Sequence, residues 1–355
     1  MQLRSSDFVL NRQSLLRNRY SGPCIEMIYR DQLTESVDGK YIDVSGLAFS
    51  PTGETIYMTV SSTGSINRIM AWEVSNWKLK AEKEFSIGNF VNGCHPLAVV
   101  RGGVLIATSR TLELWNLELS YCKRQWSLVA MPTFIFVISD DQVLCTTFTR
   151  AEEIIVDTVT GHIVSTFAVS SYKSIACYRN LLLLGNTDGG IKLQILGQSV
   201  PRWEISLPRP WPGFGRALGC FSPKGQFIVV GSCFSDSCAY VLDAFSGNVR
   251  CKLSDYHILS DFKFISDEEF VILSYQYMRG ASLRLFNARS GDILSILQLY
   301  TCELLSLATC PGEGLIAICS RFKFDLKVIK VNLSEEKKCV RNGRKVGWQI
   351  VYNHF

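Results

Sequence analysis

The 355-residue chain lacks the short motifs that mark the commonest catalytic machineries. It has no Gly-x-x-x-x-Gly-Lys-Ser/Thr phosphate loop, no His-Glu-x-x-His helix and no Gly-x-Ser-x-Gly elbow. Those absences remove P-loop, zinc-protease and serine-hydrolase readings. Histidine is scarce: His95, His162, His257 and His354 are the only four, and no two stand at ligand spacing. The thirteen cysteines include no Cys-x-x-Cys pair, and the closest two are Cys233 and Cys238. Cys145, Cys177, Cys220, Cys302 and Cys319 sit in apolar runs, where a free thiol acts as a small hydrophobe. Reduced thiols are therefore expected, not disulfides or a metal site. No apolar run approaches the ~18 residues of a membrane span. The longest, Leu128–Ile138, is broken by Pro132. The amino terminus (Gln2, Arg4, Asp7, Arg12) lacks the basic-then-apolar order of a secretory signal. The expectation is a cytoplasmic protein with no cofactor and no membrane partner, the nucleus being left open.

Charge is uneven along the chain. The total is +5, but residues 321–345 carry +6 and residues 1–20 carry +3, which leaves −4 for the remainder. The basic excess thus sits at the ends. Nucleic-acid binding calls for a basic patch interleaved with stacking aromatics, so it is disfavoured here.

What the chain does have is a repeat. A strand-like ending recurs at Ile69–Glu73, Leu112–Asn116, Glu153–Asp157, around Gln194, and at Ala239–Asp243, Leu283–Asn287 and Leu326–Lys330. The fourth positions are Trp72, Trp115, Val156, Gln194, Leu242, Phe286 and Ile329, spaced 43, 41, 38, 48, 44 and 43 residues apart. Turn clusters recur in phase, from Ser50-Pro51-Thr52-Gly53 to Cys310-Pro311-Gly312. A third marker sets Asp or Asn four residues before Gly, at Asp157/Gly161, Asp243/Gly247 and Asn287/Gly291. It reads as the turn from a third to a fourth strand. A period near 43 with strand-like units predicts an all-β fold, a seven-bladed β-propeller of four-stranded antiparallel blades. With 47% hydrophobic residues, one propeller accounts for the length without a second domain.

These repeats resemble the WD-repeat family over roughly residues 41–333. Leu183–Gln194 is similar to the family's second strand, tight turn and third strand, with Gln194 where Trp is usual. Trp72-Glu73 and Trp115-Asn116 stand in place of the Trp-Asp pair. Phe-Ser-Pro-x-Gly, at Phe49–Gly53 and Phe221–Gly225, stands in place of the first hairpin. No true Trp-Asp and no Gly-His dipeptide occurs, and His257 is the nearest match to the family histidine. The resemblance implies that Trp72 and Trp115 pack between blades.

The organisation expected is an amino-terminal extension over 1–20, open to helix, a propeller over 21–335, and a basic tail or closing strand over 336–355. The strand pattern at Cys24–Arg30 is expected to complete the last blade beside Asp325–Val331, with Lys338–Arg341 and Val346–Tyr352 as competitors. Enzymatic propellers usually line their channel with acids, histidines or arginines. The inner strands expected here (GLAFS, LAVV, FIFVI, SIACY, LGCFS, DFKFI, LSLAT) bring only Asp261 and Lys263. The expected role is a non-enzymatic scaffold, a monomeric propeller within a complex that binds an unidentified protein or peptide on its loop face. The alternatives are the carboxy-terminal sensor portion of a larger signal-transduction NTPase and an enzyme acting through the channel.

The candidate site residues are Arg209, Trp211, Phe214 and Arg216 in the proline-rich Leu207–Arg216 connection. Tyr275, Tyr277 and Arg279, and Arg321 and Phe322, are expected to share the same face. Trp and Arg are the residues enriched in interface hot spots, and prolines limit the entropy lost on binding. The competing reading has Trp211 and Phe214 folding back as a hydrophobic lid over the fourth and fifth blades.

Overall fold

The computed structural model describes residues 25–32, 42–62, 67–85, 97–108, 111–128, 132–147, 152–168, 172–186, 188–207, 217–232, 238–254, 258–276, 280–299, 305–320 and 325–331. Among these, every regular element is a strand. The first, β1 (Ile25–Gln32), belongs to the last blade. Blade 1 is β2 (Ile42–Phe49), β3 (Thr55–Ser62), β4 (Asn67–Glu73) and β5 (Lys78–Phe85). Blade 2 is β6 (Leu97–Val100), β7 (Gly103–Ala107), β8 (Thr111–Trp115) and β9 (Cys122–Ser127). Blade 3 is β10 (Pro132–Val137), β11 (Gln142–Thr147), β12 (Glu152–Asp157) and β13 (Ile163–Ala168). Blade 4 is β14 (Lys173–Tyr178), β15 (Leu181–Gly185), β16 (Gly190–Ile195) and β17 (Pro201–Ser206). Blade 5 is β18 (Ala217–Phe221), β19 (Phe227–Ser232), β20 (Ala239–Asp243) and β21 (Val249–Leu253). Blade 6 is β22 (Ile258–Phe264), β23 (Glu269–Gln276), β24 (Gly280–Asn287) and β25 (Ile293–Gln298). Blade 7 is β26 (Leu305–Cys310), β27 (Leu315–Ser320) and β28 (Asp325–Val331), completed by β1.

Every sheet is antiparallel and follows chain order from inner to outer strand, except that β1 enters blade 7 from the other end of the chain. The first strands of successive blades touch one another around a complete circle, β26 meeting β2, so the seven sheets form a closed ring. β1 pairs with β28 from Ile25↔Val331 to Gln32↔Asp325, so the amino-terminal strand closes that ring. Closure this way leaves no inner blade edge open. The two competing segments, 338–341 and 346–352, lie outside the described residues.

The core explains why the middle strands read as continuous apolar runs. Each sheet packs both faces on neighbouring blades, so residues pointing either way are buried. Seven hydrophobic clusters result, one per seam. Tyr57 and Ile69 meet Val104 and Trp115 between blades 1 and 2, and Leu273 and Leu283 meet Ile316 and Ile329 between blades 6 and 7. The cluster between blades 3 and 4 is the smallest, built on Ile138, Leu144, Ile155, Leu182 and Leu184. Outer strands, solvated on their edge, fall back to alternation, as in β17.

The turn chemistry follows the sequence markers. Ser50 and Ser222 open equivalent hairpins. Thr55 N–H donates to Ser50 Oγ at 3.0 Å and Phe227 N–H to Ser222 Oγ at 3.1 Å. Asp157, Asp243 and Asn287 each accept two backbone N–H bonds on Oδ1, and Gly161, Gly247 and Gly291 each donate back to the carbonyl four residues earlier. Gly247 is left-handed at φ 74°, and a Cβ there would collide with the Trp203 ring of blade 4. Outer-strand tryptophans lock adjacent blades at these turns: Trp203 Nε1 donates to Ala244 O at 3.0 Å and Trp126 Nε1 to Gly161 O at 2.8 Å.

Three local expectations shift. Pro132 does not merely break an apolar run; it is the first residue of β10, where its missing N–H is tolerated. In the Cys310–Gly314 turn the left-handed residue is Gly314 at φ 63°, two positions after the expected glycine. Strands β2 and β14 start earlier than read, at Ile42 and Lys173, adding Asp43 and Lys173 to Asp261 and Lys263 as charged residues of the inner strands.

Candidate functional site

The ring has two unlike faces. One carries the turns from first to second and from third to fourth strand, all short, several bonded to the adjacent blade as well as within themselves, as where Lys224 N–H donates to Asp267 Oδ1 at 2.7 Å. The other carries the connections from second to third strand and from each blade to the next. The three longest connections, 33–41, 86–96 and 207–216, all belong to this second, loop face. Chain path alone explains the asymmetry. Hairpins within a blade can be two residues long, whereas the return from an outer strand to the next inner strand must cross the width of a sheet.

Arg209, Trp211, Phe214 and Arg216 lie in the connection from β17 to β18, Tyr277 and Arg279 between β23 and β24, and Arg321 and Phe322 between β27 and β28. All eight fall outside the described residues. The strand ends that bear these three connections occupy the loop-face side of blades 4 to 7. Tyr275 differs from expectation. It lies within β23, paired with Ile258 on one side and Ala281 on the other, and is partly buried. The β23–β24 hairpin continues to Gln276↔Gly280, so the ladder outruns the loop read from sequence.

The described residues at the root of the proline-rich connection form a polar collar. Leu207 is buried and its N–H donates to Gly189 O at 3.0 Å, which fixes where the connection leaves blade 4. Beside it, Tyr172 Oη donates to Glu204 Oε1 at 2.7 Å, and Lys192 Nζ stands 4.3 Å from the Tyr172 ring centre. The Glu204 carboxylate, as acceptor of that bond, pushes the Tyr172 phenol up to about 12. Asn186 Oδ1 accepts from Gly190 N–H at 2.7 Å and closes the adjoining turn.

Between blades 3 and 4 the same end holds a buried carboxylate. Glu153 Oε1 accepts the Ser174 backbone N–H at 3.1 Å, while Oε2 has no hydrogen-bond partner among the described residues. Burial raises the Glu153 carboxyl above its ordinary range, opposed by the bonds from Ser174. Burial also pushes the neighbouring thiols of Cys145 and Cys177 up to about 12, aided by the Glu153 charge. Neither is a thiolate nucleophile at neutral pH.

Along the inner strands, Lys263 Nζ stands 3.5 Å from Asp261 Oδ1, and Phe262 N–H donates to the same oxygen at 2.8 Å. Burial pushes up the nearby Cys220 thiol, partly offset by the Lys263 charge. Among the described residues, no three His, Cys, Asp or Glu side chains converge as a metal site, and no helix is long and apolar enough to cross a membrane.

The opposite face carries a feature that the sequence reading missed. A cavity of about 380 Å³ between blades 5 and 6 is lined by Gln226, Phe227, Asp243, Phe245, Arg250 and Arg289. Phe245 is 77% exposed, with the Arg202 guanidinium 5.4 Å from its ring centre. Arg250 pairs with Asp243 at 2.6 Å and Arg289 with Glu268 at 2.5 Å. A signal for it was present. Phe245 stands two residues after Asp243, where the Asp/Gly turn points a side chain outward, as Val159 does in blade 3.

This fold has a solved counterpart. The β-propeller domain of Cps50 (Swd1) from Myceliophteria thermophila is similar at a TM-score of 0.64 and 13% identity, covering 87% of this chain and all of that domain. At that identity the likeness concerns the fold. No protein-family model and no curated protein matches the chain. The inner-to-outer strand order is the one that the WD-repeat resemblance implies.

Proposed function

We propose that the chain is a WD-repeat-like, non-enzymatic scaffold that captures a partner protein or peptide on its loop face. The observation that carries this reading is the asymmetry of the two faces. The long connections share one end of the ring, while the turns of the other end are short and bond within their own hairpin or to the adjacent blade. Binding residues concentrate on loops positioned by rigid scaffolds. The connection 207–216 supplies Trp211 and Phe214 between Arg209 and Arg216, a composition suited to an acidic or proline-containing peptide. Tyr277, Arg279, Arg321 and Phe322 extend that surface across blades 6 and 7, and the propeller acts as a monomer within a larger complex.

The test compares Trp211→Ala with Arg216→Glu for partner capture and for melting temperature. A binding surface loses capture with little change in melting. If stability falls first, Trp211 and Phe214 form a lid over blades 4 and 5, and the loop-face site is wrong.

A further inference from the structure

Seven outer strands ring the molecule, and each leaves one edge without a strand partner among the described residues. Such an edge offers free N–H and C=O groups, and proteins guard it with charge or proline. Five of the seven follow that rule. β5 carries Lys78, Lys80, Glu82, Lys83 and Glu84, and β1 carries Glu26, Arg30 and Asp31. β9 has Lys123 and Arg124, β17 has Pro201, Arg202 and Glu204, and β21 has Arg250 and Lys252. Two do not: β13 reads IVSTFA and β25 reads ILSILQ, with no charge and no proline. On β25, Ile293 is 45% and Ile296 is 56% exposed.

The sequence also holds a strand-like segment outside the described residues. Val346–Tyr352 alternates Val346, Trp348, Ile350 and Tyr352 against Gly347, Gln349 and Val351. With β1 paired to β28, the position beside β28 is filled.

We propose that residues 346–352 add to the outer edge of β25 as a fifth strand of blade 6. Three observations favour β25 over β13. The tail leaves from Val331, at the end of blade 7 where Ile25 begins β1, and β1 lies against β25. The fifteen residues from Val331 to Val346 span at most ~50 Å at ~3.3 Å each. That is ample for the adjacent blade, whose β25 lies against β1, whereas β13 is three blades away. The linker is also basic, with Lys337, Lys338, Arg341, Arg344 and Lys345, while Asp292 immediately precedes β25. The added strand would cover Ile296 with its own apolar side chains.

The register makes the test specific. Leu299 N–H donates inward to Ala281 O at 2.9 Å, so two-residue alternation turns the Ile296 amide outward. Hydrogen–deuterium exchange across Ile293–Gln298 is compared in the full chain, a chain ending at Arg344, and the full chain with Ile350→Pro. Pairing predicts that exchange there speeds at least about tenfold in both altered chains, with β13 unchanged. The proline variant keeps the tail and its charge but removes one strand donor, separating pairing from electrostatic attraction. Equal exchange at β25 in all three chains overturns the proposal, as does protection that moves to β13. Light scattering on the same samples decides the source of the strand. Protection that appears only with a doubled mass means that a second copy supplies it, and the intramolecular assignment fails.

Discussion

Truncating Trp115 probes whether the repeat markers are core or surface. The side chain is buried between blades 1 and 2 and meets the Phe85 ring edge-on at 5.6 Å. Its Nε1 donates to Glu113 Oε2 at 2.9 Å, and that carboxylate is itself buried, with Gln125 Nε2 also donating to it at 3.3 Å. Removing a ring of this size from a packed core costs about 3–5 kcal/mol. Leaving a buried carboxylate short of one donor adds about 1–3 kcal/mol. Trp115→Ala should therefore cost about 5 kcal/mol, near the whole stability of many domains. Trp115→Phe keeps most of the ring and should cost about 1–3 kcal/mol, chiefly the lost bond to Glu113. Urea denaturation of both variants reads these values. A Glu113→Gln, Trp115→Phe cycle should show coupling of about 1 kcal/mol. If Trp115→Ala unfolds within about 1 kcal/mol of the parent yet abolishes partner capture, the residue is part of a binding surface and the core assignment fails.

Three further outcomes follow from other parts of the ring. Deleting residues 1–32 removes β1 and with it the pairing to β28; the melting temperature should fall sharply, and an unchanged melt would show that another strand closes blade 7. The raised Glu153 carboxyl favours its neutral form in the folded state, so its contribution is fully present below the unfolded glutamate value and is lost as pH rises through the folded one. Parallel urea titrations of the parent and Glu153→Gln should diverge as pH rises through that window, the variant lacking this loss; parallel curves would refute a buried, titrating Glu153. Gly103→Ala drives a Cβ into the Trp115 carbonyl oxygen and should cost several-fold more than Gly102→Ala, where nothing lies within 4 Å and the expected change is within about 0.5 kcal/mol.

The fold was legible because a propeller repeats its physics. Trp72, Trp115, Val156, Leu242, Phe286 and Ile329 are all buried in third strands, as their shared phase predicts. Gln194 holds the same register position but is half-exposed, its amide donating to Gln198 O instead of packing. The Asp/Gly marker worked at Asp157, Asp243 and Asn287, since both residue types have defined jobs in that turn, but the same spacing at Asn186/Gly190 closes a second-to-third-strand turn instead. It is missing from blade 1, where Trp77 takes a left-handed φ of 55° and its N–H donates to Glu73 O at 2.9 Å. Tertiary packing there overrides turn propensity. What could not be read was contact between blades. The bond from Trp203 to Ala244 joins residues of different repeats, and no local pattern announces it. The candidate site was legible only as composition. Aromatic and arginine content can nominate Trp211, Phe214 and Arg216, but periodicity carries no information about how a loop presents them.

Capture from native extract, with bound proteins identified and quantified by mass spectrometry, tests the scaffold claim most directly. Three baits are compared: the parent, the loop-face variant Arg209→Glu/Arg216→Glu, and Phe245→Ala on the opposite face. Phe245 is exposed at the far end of the ring, so its truncation should leave the fold unchanged. The account predicts a protein partner held by the parent and by Phe245→Ala, and lost from the loop-face variant at unchanged melting temperature. Capture that survives the loop-face substitutions and disappears with Phe245→Ala would place the working surface in the groove between blades 5 and 6 and contradict the account.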